Sequence, residues 1–182
     1  LREAVDVDDA PTVVRYPTGA VSADLVAVER VDGVDVLRRT PGADVLVVAV
    51  GSMAECGLEV AERCAQQGIG VTVVDPRWVK PIPDAIVRMA AEHRCVVTVE
   101  DGVRAGGVGS AVALAMRDAR VTTPLRDFGI PVQFLDHGKR AEILADIGLT
   151  AQDIARDIVE TVASLDNDRE RSERTEHNTV NE

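Results

Sequence analysis

The chain has 182 residues and a formal net charge of −11. That length suits one domain with room for part of a second, and the charge disfavours nucleic acid and anionic membrane surfaces as partners. Hydrophobic residues make up 46% but aromatics only 2%, so Val, Ala, Leu and Ile must fill the core.

Leu1 to Ala10 is short and acidic, and Pro11 ends it. The opening reads as mid-helix and the first residue is not Met, which implies a fragment whose upstream part is missing. TVVRY, Thr12 to Tyr16, has the apolar content of a strand. Pro17 and Gly19 then punctuate a turn and linker, and a strand is expected at Val34 to Arg39. TPGAD, Thr40 to Asp44, reads as a hairpin-like turn.

From Asp44 the pattern alternates. DVLVVAVG, Asp44 to Gly51, is an apolar run of strand length. Apolar residues at helical spacing follow from Met53 to Gln67, stopped by Gly68. GVTVVD, Gly70 to Asp75, predicts the next strand, and Pro83 to His93 a helix. CVVTVE, Cys95 to Glu100, is a third central strand, Gly109 to Ala119 a helix, and Pro124 to Gly129 a shorter strand. Lys139 to Asp146 and Thr150 to Ser164 close the series as helices, with Thr150 and Asp153 placed for a capping box. Strand alternating with helix specifies a doubly wound, mostly parallel α/β sheet covered on both faces. From Asp166 to Glu182 dense charge surrounds a single valine, so a disordered acidic tail is expected there.

The chemistry-bearing residues are few. Cys56, Cys64 and Cys95 are odd in number, form no CxxC and have no metal-ligand spacing. They read as buried thiols of a reducing cytosol. No run approaches the roughly 20 apolar residues of a membrane span. EDGVRAGGVGS, from Glu100, is a glycine loop between a strand and a helix, where backbone N–H groups can meet an anion. Its glycines follow neither the dinucleotide GxGxxG nor the P-loop pattern, so a tight turn with close packing at Gly109 is the competing reading. DPRWVKP, Asp75 to Pro81, leaves a strand at its carboxyl end, the edge that ligands favour in such sheets. Arg77 and Lys80 are cations there, although Arg77 can equally pair with Asp75, and Trp78 can anchor the loop in an interface. His93 and His177 lie away from any catalytic pattern, and His137 sits in a loop with no nucleophile near it. RYPTG, Arg15 to Gly19, presents a guanidinium and a Pro-Gly turn to a possible phosphate, or places Arg15 in a structural ion pair.

The motif order resembles the carboxyl-terminal part of the 1-deoxy-D-xylulose-5-phosphate synthase family, thiamine-diphosphate enzymes of the transketolase group. The matching pieces are RYPTG, VAVGSM, GIGVTVVDPRWVKPIPD, VTVEDGVRAGGVGSAV and GIPVQFLDHGKRAEILADIGLTAQDIARDIV. They run in the family's order from Pro11 to Ala163. The resemblance implies an enzyme that condenses pyruvate with glyceraldehyde 3-phosphate, releases CO₂ and feeds isoprenoid, thiamine and pyridoxal synthesis. It implies a cytoplasmic homodimer whose thiamine diphosphate and Mg²⁺ are held by upstream domains. Residues 1–20 would end the pyrimidine-binding second domain, 21–33 form a linker, and 34–165 make the third domain, ahead of the 166–182 tail. No catalytic, cofactor-binding or metal-binding residue is expected in this chain, which alone would serve structure and dimer formation. The family's RYP(R/K)G motif directs its second basic residue at the substrate phosphate, and that position is Thr18 here. Arg15 matches the family's first Arg, whose role the resemblance implies is mainly structural; Arg15 and Thr18 are the candidate phosphate contacts, with no charge at the second. A transketolase, the beta subunit of a 2-oxo-acid dehydrogenase, and a free-standing α/β association module are the alternatives.

Overall fold

A computed structural model describes residues 2–16 and 24–180; side chains are described as far as residue 174. Six strands form one sheet in the order β1-β2-β4-β3-β5-β6. The four strands β4 (Val71–Asp75), β3 (Val45–Ala49), β5 (Cys95–Val103) and β6 (Leu125–Ile130) run parallel. β2 (Val34–Arg39) joins β4 antiparallel, and β1 (Glu29–Val31) extends the sheet beyond it.

Burial on both faces explains why the central strands read as unbroken apolar runs. Side chains alternate across the pleat. Val45, Val47 and Ala49 of β3 point toward α2 (Ala54–Ala65) and α6 (Ala151–Val180), where they meet Val60, Ala61, Ile154 and Ile158. Leu46 and Val48 point the other way, onto α3 (Asp84–Glu92) and α4 (Val108–Asp118), against Ile86, Met89 and Val112. Gly57 lets α2 lie against the sheet, because a Cβ there would sit 2.7 Å from the Ala49 Cβ. Gly68 ends α2 at φ +77°, with its amide on the Ala65 carbonyl and the Ile69 amide on the Cys64 carbonyl. At the start of α6, the Asp153 amide donates to Thr150 Oγ1 at 3.2 Å, the expected cap.

The chain goes from β3 outward to β4, then crosses back to β5 on the other side of β3. The carboxyl ends of β3 and β5 therefore flank the switch point where such sheets open a crevice. β3 ends there in a short 3-10 turn, Gly51–Met53, and β5 runs into the glycine loop. α5 (Arg140–Asp146) begins beside the same edge, because Arg140 reaches both Asp101 and Met53.

Four expectations need correction. Thr12 to Tyr16 is not a strand; it has no ladder partner among the described residues, and Val13 and Tyr16 are 89% and 78% exposed. An extended apolar segment becomes a strand only when paired. Ahead of it, among the described residues, stands the short α1 (Arg2–Val5). Thr40 to Asp44 is not a hairpin, because β4 lies between β2 and β3. Asp44 Oδ2 instead accepts the Gly70 amide at 2.8 Å, tying the turn to the start of β4. The segment read as a linker contains β1, which forms a hairpin with β2. Asp32 and Gly33 turn it at φ +47° and +84°, the conformation that Asp-Gly favours between strands. Finally, α6 does not stop near Ser164 but continues as helix to Val180. Ion pairs one turn apart, Arg169–Glu173 and Glu170–Arg174, run along its exposed surface.

Candidate functional site

A cleft of about 1170 Å³ opens at the carboxyl edge of the sheet. Its walls come from the 3-10 turn after β3, the Asp75–Lys80 loop after β4, the glycine loop after β5 and the segment ending at Tyr16. Each of the first three follows a parallel strand, which is why the topology brings them together.

The glycine loop does hold an anion, and the anion is its own. Glu100 is only 5% exposed, and its carboxylate accepts the Val108 amide at 3.0 Å and the Gly109 amide at 2.9 Å. These are the first amides of α4, which carry the positive end of the helix dipole. A Cβ on Gly107 would lie 2.5 Å from both carboxylate oxygens and 2.4 Å from the Val103 carbonyl. A Cβ on Gly109 would lie 2.5 Å from Thr98 Oγ1. The glycines are therefore spent on fitting Glu100 and on packing, and the helix start has no free amide pair for a phosphate. The close packing expected at Gly109 is present.

Asp101 faces the other way. Its carboxylate accepts Arg140 Nη2 at 2.9 Å, and its main-chain carbonyl accepts Arg15 Nη1. Arg15 lines the cleft, and its guanidinium rests on a neutral carbonyl rather than in an ion pair. No carboxylate partners it among the described residues. Thr18 lies outside the described residues.

Arg77 is held differently. It adopts φ +58°, its amide donates to Asp75 Oδ1 at 2.9 Å, and its guanidinium meets Glu3 at 2.5 Å and Asp35 at 3.4 Å. The Arg77 hydrogen bond holds the Glu3 carboxyl below its usual range. Burial pushes Asp75 up, opposed by the amides of Arg77 and Gly51. The Arg77 charge is engaged structurally, but by Glu3 and Asp35 rather than by Asp75, which accepts only its main-chain amide. Lys80 lines the cleft without an ion-pair partner among the described residues. Trp78 is 36% exposed beside it.

His93 and His137 take no part in the cleft. His93 is buried, with Nδ1 2.7 Å from the Met89 carbonyl and Nε2 3.0 Å from Thr72 Oγ1. His137 is exposed between β6 and α5. Burial pushes the thiols of Cys56, Cys64 and Cys95 up to about 11, so they are inert near neutral pH. No group of three or more His, Cys, Asp or Glu side chains among the described residues could hold a metal ion. No helix among them is long and apolar enough to cross a membrane.

Sequence reasoning missed Glu100, Asp101 and Arg140. A signal for Glu100 existed: it ends an otherwise apolar strand, and a carboxylate buried there needs donors. The nearest donors in sequence are the amides that follow the glycines. Arg140 carried no such signal, because its contact with Asp101 spans 39 residues.

Comparison with known proteins agrees with this architecture. A protein described as 1-deoxy-D-xylulose-5-phosphate synthase 2 from Streptomyces coelicolor is 63% identical over 169 residues, covering 91% of this chain and 26% of that protein. A 1-deoxy-D-xylulose-5-phosphate synthase from Frankia casuarinae is 58% identical over 167 residues, covering 90% and 26%. The chain thus spans about a quarter of the length of the curated relatives it matches. Among solved structures, a split-gene transketolase described as an inactive beta4 tetramer superposes with a TM-score of 0.66 at 30% identity, over 77% of this chain and 46% of that one. A transketolase from Campylobacter jejuni gives 0.51 at 18% identity, over 75% and 20%, and supports the fold alone. The family described as "Transketolase, C-terminal domain" matches residues 34–154, and the chain belongs to that family.

Proposed function

We propose that this chain is the carboxyl-terminal part of a 1-deoxy-D-xylulose-5-phosphate synthase. The parent enzyme condenses pyruvate with glyceraldehyde 3-phosphate and releases CO₂. The observation that carries this reading is the 63% identity to such a synthase across 91% of the chain. Residues 1–20 close the second domain, 21–33 connect, with β1 inside them, 34–165 form the third domain, and 166–182 follow it. The parent is a cytoplasmic homodimer, and this segment serves structure and association.

Thiamine diphosphate and Mg²⁺ belong to the parent enzyme, where the cofactor supplies the carbanion chemistry. The described residues do not fit either group. They offer no metal-ligand cluster, and Glu100 fills their glycine-loop helix start. Acceptor binding is the one step to which this chain contributes. Arg15 and Thr18 meet the acceptor phosphate, Arg15 with charge and Thr18 with a hydroxyl.

Two measurements test the reading. The upstream reading frame should encode a diphosphate-and-metal motif in the same chain; a separate subunit gene would favour the 2-oxo-acid dehydrogenase alternative. Calorimetry of the isolated chain with thiamine diphosphate should show no heat of binding. Tight binding would sink the assignment of the cofactor site to other domains.

A further inference from the structure

Arg15 and Arg77 stand at the same cleft but in opposite electrostatic states. Arg77 is neutralised by Glu3 and Asp35. Arg15 donates to the Asp101 carbonyl, a neutral acceptor that orients the guanidinium without cancelling its charge. Two carboxylates lie close to it: that of Glu100 is taken by the Val108 and Gly109 amides, and that of Asp101 belongs to the very residue Arg15 contacts. The Asp101 carboxylate is instead engaged by Arg140 at 2.9 Å. Arg140 is itself placed by the start of α5 and by its contact with Met53 Sδ at 3.8 Å.

We infer that Arg140 is a positioning residue that occupies the Asp101 carboxylate and so keeps the Arg15 charge available to an anionic acceptor. The inference rests on the proposed phosphate-contacting role of Arg15. Without Arg140, Asp101 is left as an unpaired carboxylate on the residue that already holds Arg15. The guanidinium then turns from the carbonyl to the carboxylate and forms an ion pair. The acceptor phosphate loses a charge-assisted partner, while the pyruvate half-reaction is untouched.

The test uses the full-length enzyme and steady-state kinetics with two acceptors, glyceraldehyde 3-phosphate and unphosphorylated D-glyceraldehyde. Arg140→Ala should raise KM for the phosphorylated acceptor about tenfold. The kcat, the KM for pyruvate and the KM for D-glyceraldehyde should stay within about twofold of wild type on the same argument. Adding Asp101→Asn to Arg140→Ala should restore the phosphorylated acceptor's KM, because no carboxylate remains to take Arg15. A merely structural role for Arg140 predicts the reverse, since the second substitution cannot rebuild a lost contact. Arg140→Lys keeps a cation on Asp101 and should retain the wild-type KM, which guards against poor folding of the Ala variant.

A double variant that stays as weak as Arg140→Ala, or an equal loss with both acceptors, overturns the inference. An active Arg15→Ala variant with unchanged KM for the phosphorylated acceptor overturns the role of Arg15 on which it rests. A wild-type enzyme inactive with pyruvate and glyceraldehyde 3-phosphate overturns the synthase reading itself.

Discussion

Replacing Glu100 by Gln changes one oxygen for one amide nitrogen, and the structure says what that does. The carboxylate accepts two amides, at 2.9 and 3.0 Å. A glutamine keeps one acceptor and turns an NH₂ group toward the other amide. One buried N–H is then unpaired, which costs about 1–3 kcal/mol. Loss of the negative charge at the α4 start removes up to about 2 kcal/mol more in a partly buried site. Against this, a neutral side chain is easier to bury at 5% exposure. The net expectation is a loss of about 2–3 kcal/mol. With a urea m-value of about 2 kcal/mol/M, the unfolding midpoint falls by about 1–1.5 M. Glu59 is exposed on α2 and provides the control, since Glu59→Gln should stay within about 0.5 kcal/mol. A Glu100→Gln midpoint within about 0.3 M of wild type, at the same m-value, would show that the carboxylate does not hold the helix start.

Gly57→Ala places a Cβ 2.7 Å from the Ala49 Cβ and 3.1 Å from Val73 Cγ1, and neither neighbour can swing away. Overpacking of about 1–3 kcal/mol outweighs the roughly 1 kcal/mol that Ala contributes as a helix former, so calorimetry should find Tm lowered by about 2–8 °C; an unchanged Tm would mean that α2 sits farther from the sheet. The three thiols titrate near 11 when folded, against an ordinary value of 9.0, so the unfolded chain loses those protons first as pH rises. Stability should therefore fall between pH 9 and 11, and denaturation at pH 8 and pH 10 will check it. With only two lysines and one tyrosine in the chain, few other groups titrate in that window. In the full-length enzyme, Thr18→Arg should lower KM for glyceraldehyde 3-phosphate, by a contribution of about 1.5–3 kcal/mol at most; an unchanged KM would remove Thr18 from the phosphate contact.

The parallel core was legible because double-sided burial leaves a plain mark, an apolar run of strand length between helical periods. Val45 to Ala49 and Cys95 to Glu100 carried it. The edge was harder. Glu29–Val31 has only three residues and no buried side chain, so its hydrophobic signal vanishes and only the Asp32-Gly33 turn remained to find it. Thr12 to Tyr16 failed in the opposite direction, since its composition promised a strand that no neighbour among the described residues pairs. At the cleft, the Pro-Gly context pointed to Arg15 and a place after a strand pointed to Arg77. What the sequence could not reveal was which acceptor each guanidinium meets. Arg15 finds Asp101 across 86 positions and Arg77 finds Glu3 across 74. The extension of α6 had a different cause, because regularly spaced opposite charges can support a helix that buries no core.

Glu100 gives the α4 terminus a tethered counter-ion. A free phosphate would have to be drawn from solution, and its occupancy would vary with concentration and ionic strength. An anion attached eight residues upstream of its first amide partner, and held by a strand, is present at a high and constant effective concentration. The loop is accordingly insensitive to the anions of the medium. It also follows that Glu100→Ala would vacate a small, positively polarised nest, and added sulfate or acetate should then recover part of the lost stability.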